Sequence, residues 1–213
     1  VLADPRGKVI INDGRNYAFL TDKKYDIVTI DPPPPFNTAG TTVLHSKEFY
    51  TDLVKILKPG GIVSQWIYYN GSREDDIAMA VKSFLDVFPH VLAFQKTGSV
   101  GGIFFQGSFS PLDPERIGRL FQDEEAVRDL AEVIEIKPGT SLKDNVTIEL
   151  IGNRESLLKK FANSPSVSDI HPRTEYFKLR HRFSSAPVLI GENSQRFIDE
   201  LKENLSQIKQ SPQ

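Results

Sequence analysis

Tyr25-Asp26-Ile27-Val28-Thr29-Ile30-Asp31-Pro32-Pro33-Pro34-Pro35-Phe36 decides the fold of this chain. Ile27 to Ile30 are all β-branched, as suits a strand inside a parallel sheet. Proline cannot donate to a ladder, so the strand must end at Asp31. A carboxylate is thereby left at the carboxyl end of a central strand, on a loop whose prolines limit its freedom. In open α/β sheets that edge is where ligands bind. The alternative is that Asp31 only caps the turn after it.

Outward from this stretch, strand and helix patterns alternate, which argues for a βαβ sheet. Lys8 to Asn12 reads as a short strand closed by Asp13-Gly14, and Arg15 to Leu20 as a short helix. Pro32 to Thr42 is a loop. Ser46 is a candidate N-cap for a helix through Lys58, with Phe49, Leu53, Ile56 and Leu57 at helical spacing. Lys58-Pro59-Gly60-Gly61 stops it, and Ile62 to Ile67 forms the third strand. Ser72 and Asp75 fit a capping box. The helix that follows carries Ile77, Val81, Phe84, Leu85 and Phe88 on one face and ends at Pro89.

Val91 to Gln95 and Ile103 to Gln106 predict two more strands, and a two-strand ending suits an antiparallel edge. After Ser110 the character changes to short helical patterns, near Pro114 to Leu130 and Arg154 to Ala162. Val146 to Ile151 fits strand or helix, Asn163 to Arg173 is a loop, and Ser194 to Ile208 is an amphipathic helix. We therefore expect a sheet domain over 1–108 and a mainly helical extension over 109–213, packed on it.

The composition narrows the function. A net charge of -2 leaves no basic footprint, so duplex nucleic acid is not favoured as a partner, and single-stranded or small-molecule substrates stay open. With no cysteine, disulfides and thiolate zinc sites are excluded. His45, His90, His171 and His181 lack metal-ligand spacing, so no metal is expected. No apolar run approaches the ~18 residues of a membrane span, and the expected location is cytoplasmic. The chain opens with Val1 close to a strand and reads as part of something longer.

Three sets of residues could carry chemistry. Asp31 could accept a proton or hydrogen bond from an amine. Asp13 also follows a predicted strand, and Gly14 allows close approach to the backbone. The pair reads either as a ligand contact or as a helix N-cap. Gln65, at the end of the third strand, could hydrogen-bond a substrate in the same crevice, whereas Trp66 beside it reads as packing.

The ordered set Asp4-Pro5-Arg6, Asp13-Gly14-Arg15, Tyr25-Asp26-Ile27-Val28, Asp31-Pro32, Leu44, Glu48-Phe49-Tyr50, Leu57-Lys58-Pro59-Gly60-Gly61 and Gln65 resembles the spermidine synthase (polyamine aminopropyltransferase) family. The four prolines, Ala39-Gly40, Leu44 and Gln65-Trp66 are most similar to its bacterial spermidine-synthase-like subgroup, some members of which are fused behind membrane-spanning segments. Asp169-Ile170-His171-Pro172-Arg173-Thr174-Glu175-Tyr176-Phe177 resembles the tail motif of that subgroup. The resemblance is ordered from Asp4 to about Ser108 and patchier afterwards.

It implies the C-terminal portion of a class I methyltransferase-like Rossmann fold, a parallel sheet with an antiparallel edge. It also implies decarboxylated S-adenosylmethionine or S-adenosylmethionine as cofactor. Asp13, Gly14 and Pro32 would then contact the cofactor, Asp31 would be the base that takes a proton from the attacking amine, and Gln65 would face that amine.

The chain departs from the family at three places. The second acidic residue of a diamine site, three positions after Asp31, is replaced by Pro34. A substrate-contacting tyrosine aligns near Thr97. The Gly-rich loop and the ribose-holding acid, upstream of Asp4 in the family, are not in this stretch; Gly98 to Gly102 opens no helix and does not replace them. The resemblance therefore implies an amine other than putrescine, weak cofactor binding by this stretch alone, and exposed edges that favour a homo-oligomer. Two other readings stay open. One is a non-catalytic nucleoside-binding sensor on the same fold. The other is an amino-group methyltransferase, for which Phe36 stands too far from Asp31 to stack on a base.

Overall fold

β1 (Tyr25–Ile30) forms where the β-branched run predicts it, and pairs in parallel with β2 (Leu57–Tyr68), with Ile27 opposite Ile62 and Ile30 opposite Gln65. The computed structural model describes residues 5–32, 38, 40–96, 101–116, 119, 122–134, 139–145, 148–175 and 177–210. Pro33 to Phe36, Thr97 and Tyr176, which carry several of the expectations above, lie outside the described residues.

The β1–β2 crossover runs through a 3-10 turn (Thr42–His45) and α2 (Lys47–Lys55). Ser46 caps α2 as expected, its Oγ accepting from the Phe49 N–H at 3.2 Å. The helix stops short of Lys58 because the Ile56 carbonyl accepts from Tyr25 N–H, and Leu57 already enters the ladder. Pro59 and the left-handed Gly60 then make an irregularity inside β2 rather than a turn before it.

β3 (His90–Lys96) and β4 (Gly102–Ser108) pair antiparallel, and β4 also pairs antiparallel with β2. β5 (Ile148–Asn153) adds to the far side of β3, giving the order β1-β2-β4-β3-β5. The α/β class and the antiparallel side agree with the sequence reading; among the described residues, β1 and β2 form the parallel pair. The segment expected to be mainly helical contributes β5 to the same sheet, so the ambiguous Val146 to Ile151 stretch resolves into strand where it is described.

α3 (Glu74–Val87) and α8 (Glu192–Gln210) bury the faces read from their spacing: Ile77, Val81, Phe84 and Leu85 on one, Phe197, Ile198, Leu201 and Leu205 on the other. Between them lie α4 (Glu124–Val133), α5 (Leu142–Asn145), α6 (Arg154–Phe161) and α7 (Phe177–His181). α6 opens on a capping box made by Asn153 and Ser156. α4 opens at Glu124, where Asp123 caps it by accepting from Glu125 and Ala126; earlier in the Pro114 to Leu130 pattern, Arg116 and Arg119 are helical too, and their neighbours lie partly outside the described residues.

Three expectations need correction. Lys8 to Asn12 is not a strand; Val9, Ile10 and Ile11 are exposed and have no ladder. Strand propensity without a paired neighbour leaves backbone groups to water and gives no reason to stay extended. For the same reason β1 is not central among the described residues: it pairs on one side only and is partly exposed. Finally, Ser72 and Asp75 form no capping box. The N-cap of α3 is Arg73, whose side chain makes no capping bond, and Asp75 instead accepts from Ser184 Oγ at 2.9 Å.

Candidate functional site

A cleft of about 660 Å³ lies against β1. Its floor is Val28 and Ile30, its walls are α1 (Gly14–Leu20) on one side and the turn with α2 on the other, and Asp31 and Pro32 stand at the carboxyl end of the strand. Asp31 is exposed and Pro32 is buried, so the proline anchors the strand end while the carboxylate faces the open space. Tyr17 and Tyr25, two aromatics that sequence reasoning did not single out, also line the cleft. Their phenol oxygens lie 2.6 Å apart. The hydrogen bond pulls the pKa of Tyr17 below its ordinary value and pushes that of Tyr25 above it. Only their spacing across the turn between α1 and β1 could have hinted at this pair.

The cleft brings together Gly14, Asp31 and Pro32. It does not bring in Asp13 or Gln65. Asp13 is the N-cap of α1, its Oδ1 accepting from the Asn16 N–H at 2.8 Å. This is the structural alternative weighed for it. Because no strand precedes it, Asp13 and Asp31 are not on neighbouring strand ends. Gln65 is adjacent to the site in register, opposite Ile30 and one step short of Asp31. Its side chain nevertheless points into the core, fully buried, where Oε1 accepts from Tyr50 at 3.4 Å and Nε2 donates to the Trp66 carbonyl at 3.0 Å. Burial pushes the Tyr50 phenol well above its ordinary value, so it stays a neutral donor. Trp66 packs, as expected: its ring lies over Gly102, where a Cβ would run into Nε1, and 5.5 Å from Tyr68.

Beyond Pro32, the described end of the proline loop is held by a polar knot. Thr41 and Thr38 share a hydroxyl bond of 3.0 Å, and Thr42 Oγ1 donates to the Thr38 carbonyl at 3.3 Å. His45, fully buried, donates from Nδ1 to the Thr41 carbonyl at 3.1 Å. Burial pulls the His45 imidazole down to about 4, against the opposing effect of that carbonyl, so it is neutral here.

A second cluster was invisible in the sequence. Asp75 and Asp76 at the start of α3 meet His181 from α7, their ligand atoms within 4.8 Å of one another. His181 Nε2 lies 2.6 Å from Asp76 Oδ2, and Arg180 pairs with the other oxygen of Asp76. Burial, with Arg180 and Arg73 nearby, holds the imidazole of His181 below its usual range. With a guanidinium already between the carboxylates, the cluster is an ion-pair network that ties α7 to α3.

These features define an open α/β sheet whose cleft sits at the carboxyl end of a strand, with a carboxylate on its rim. That is the arrangement of the ligand-binding α/β proteins. Residues 1–94 match the family model of the spermine/spermidine synthase domain. It is 42% identical over 82 residues to a polyamine aminopropyltransferase of Korarchaeum cryptofilum, covering 37% of this chain and 25% of that protein. It is 30% identical over 95 residues to polyamine aminopropyltransferase 2 of Pseudomonas aeruginosa, covering 44% of this chain and 27% of the relative. The matched stretch thus spans about a quarter of these curated relatives. A probable spermidine synthase from Corynebacterium glutamicum has a similar fold, with a TM-score of 0.50 and 17% identity over 78% of this chain and 55% of the other. Among the described residues, no helix is long and apolar enough to cross a membrane.

Proposed function

We propose that this chain is the spermidine-synthase-like part of a transferase that alkylates an amine with an S-adenosyl-type cofactor, decarboxylated S-adenosylmethionine in the aminopropyl case. The observation that carries the reading is the placement of Asp31, Pro32 and Gly14 around one cleft within the stretch that matches the family. Asp31 serves as the base. An ammonium is no nucleophile until it loses a proton, and an exposed carboxylate at the strand end can both attract the cation and take that proton. Gly14 leaves the backbone of α1 open to close approach, since nothing lies within 4 Å of a Cβ built there. Pro32 fixes the chain direction beside Asp31, and Asp13, the N-cap of α1 just outside the cleft lining, is the remaining cofactor contact of this reading.

In this reading residues 1–108 carry the transferase fold and 109–213 support it. The location is cytoplasmic, either free or as the cytoplasmic part of a membrane-anchored protein. The uncovered edge of β1 also favours a homo-oligomer.

A second reading, a nucleoside-binding sensor without turnover, is favoured by Gln65. Its amide is committed to Tyr50 and the Trp66 carbonyl rather than to the cleft. One experiment separates the two. The full-length polypeptide is assayed with decarboxylated S-adenosylmethionine and with S-adenosylmethionine against a panel of mono-, di- and polyamines, beside Asp31→Asn. Turnover that falls by roughly 100-fold or more in Asp31→Asn supports the base. Turnover that survives the substitution rejects it, and tight nucleoside binding without turnover favours the sensor.

A further inference from the structure

The tail motif beginning at Asp169 is used by neither the cleft nor the proposed chemistry, yet it reaches both walls of the cleft. Arg15 Nη1 donates to Asp169 Oδ1 at 2.9 Å and Nη2 to Oδ2, a two-pronged fork between residues 154 apart in sequence. The Asp169 N–H donates to Glu48 Oε2 at 3.1 Å, and the Val167 carbonyl accepts from Lys47 N–H at 3.1 Å, both at the start of α2. The Val167 N–H donates to Ser83 Oγ of α3 at 2.7 Å. Thr174 Oγ1 donates to Thr42 Oγ1 at 3.2 Å, with both residues fully buried. One short loop thus bonds to α1, the 3-10 turn, α2 and α3.

Besides the Tyr17–Tyr25 hydroxyl bond to β1, the described anchors of α1 are few. Ala18 is its buried residue, while Phe19 and Leu20 are largely exposed. A seven-residue helix is marginal by itself. Gly14, on the cleft wall, is next to Arg15, and Leu44 and Phe49 form the opposite wall beside the other anchors of the loop. Burial works against ionisation of Asp169, but hydrogen bonds from Arg15 and Ser46 outweigh it and keep its carboxyl low, while Asp169 raises the guanidinium. The pair is therefore charged on both sides, and its bidentate form is the stronger kind.

We propose that the tail loop is a clamp in which Asp169, through Arg15, fixes α1 against α2 and so sets the width of the cleft beside Asp31. Asp169 and Arg15 are positioning residues that touch no reacting atom. The inference rests on the proposed function only for what the cleft binds; the clamp itself can be read without a ligand.

The test compares amide hydrogen exchange across 14–20 in the wild type, Asp169→Asn, Arg15→Gln and the reversed pair Arg15→Asp/Asp169→Arg. Each single variant should speed exchange in α1 roughly five-fold, with α3 and α8 unchanged, and the reversed pair should restore most of the protection. Unchanged α1 exchange in both singles, or a rise spread equally over α3 and α8, overturns the clamp. In a second arm on the full-length polypeptide, the affinity for S-adenosylmethionine and its decarboxylated form should fall roughly five-fold in the singles and recover in the reversed pair. If the wild type binds neither nucleoside while α1 exchange responds as stated, the clamp stands and the proposed function falls. If the wild type binds and the singles match it in both arms, the clamp falls and the proposed function stands.

Discussion

His45→Gln should flatten the pH dependence of this protein's stability on the acid side of neutrality. His45 ends the 3-10 turn beyond the proline loop, fully buried, with Nδ1 3.1 Å from the Thr41 carbonyl oxygen. Its folded imidazole is pulled down to about 4 by burial, whereas an unfolded histidine titrates near ~6.5. The unfolded chain therefore takes up the proton first as the pH drops. The contribution of neutral His45 is fully present above about pH 6.5 and is lost progressively down to about pH 4. A gap of roughly two and a half units corresponds to about 3 kcal/mol in the limit, of which about 2 kcal/mol is lost by about pH 5.

Burial works against ionisation of Asp86 and Asp169, but Lys82 and Arg15 outweigh it and hold both carboxyls low, so their losses come at lower pH. His181 is also held low, but it is present in both proteins and cancels in the comparison. The assay is urea unfolding at about pH 7.5 and about pH 5, wild type against variant. Glutamine keeps a donor for the Thr41 carbonyl without the titration, so the variant should lose about 2 kcal/mol less between the two pH values. Equal losses in the two proteins, or an NMR titration of His45 near its unfolded value, would refute the reasoning.

Two further substitutions probe packing and the cleft. In Gly107→Ala the new Cβ would lie 2.5 Å from Phe88 Cγ and 2.7 Å from the Phe84 ring. Both rings are fully buried and in contact, so they cannot move aside. The variant should lose roughly 1–3 kcal/mol in urea unfolding, and a change under about 0.5 kcal/mol would contradict the packing. Asp13→Asn keeps an acceptor for the Asn16 N–H and should leave exchange in α1 unchanged, while weakening binding of an S-adenosyl ligand roughly ten-fold. Equal affinity by calorimetry would reduce Asp13 to a cap.

What the sequence determined by itself was local. The β-branched run ended by prolines made β1, Ser46 made the start of α2, and helical spacing picked out the buried faces of α3 and α8. Each depends on residues within a turn or two of one another, so composition and spacing suffice. The sequence also placed Asp31 and Pro32 at a strand end, whereas the meeting of Gly14 with them at one cleft depends on how α1 packs beside β1.

The tertiary structure decided the rest. Lys8 to Asn12 had strand propensity but no ladder, and stayed irregular. Ser72 and Asp75 matched a capping box, but Ser184, 109 residues away from Asp75, took the carboxylate instead. Gln65 stood at the expected strand position, yet the choice between cleft and core was made by Tyr50, whose buried hydroxyl needed an acceptor. The order β1-β2-β4-β3-β5, and the bond from Arg15 to Asp169, depend on closing long loops around a common core. Such pairings depend on which surfaces fit once the sheet exists, and no local pattern in the chain specifies them.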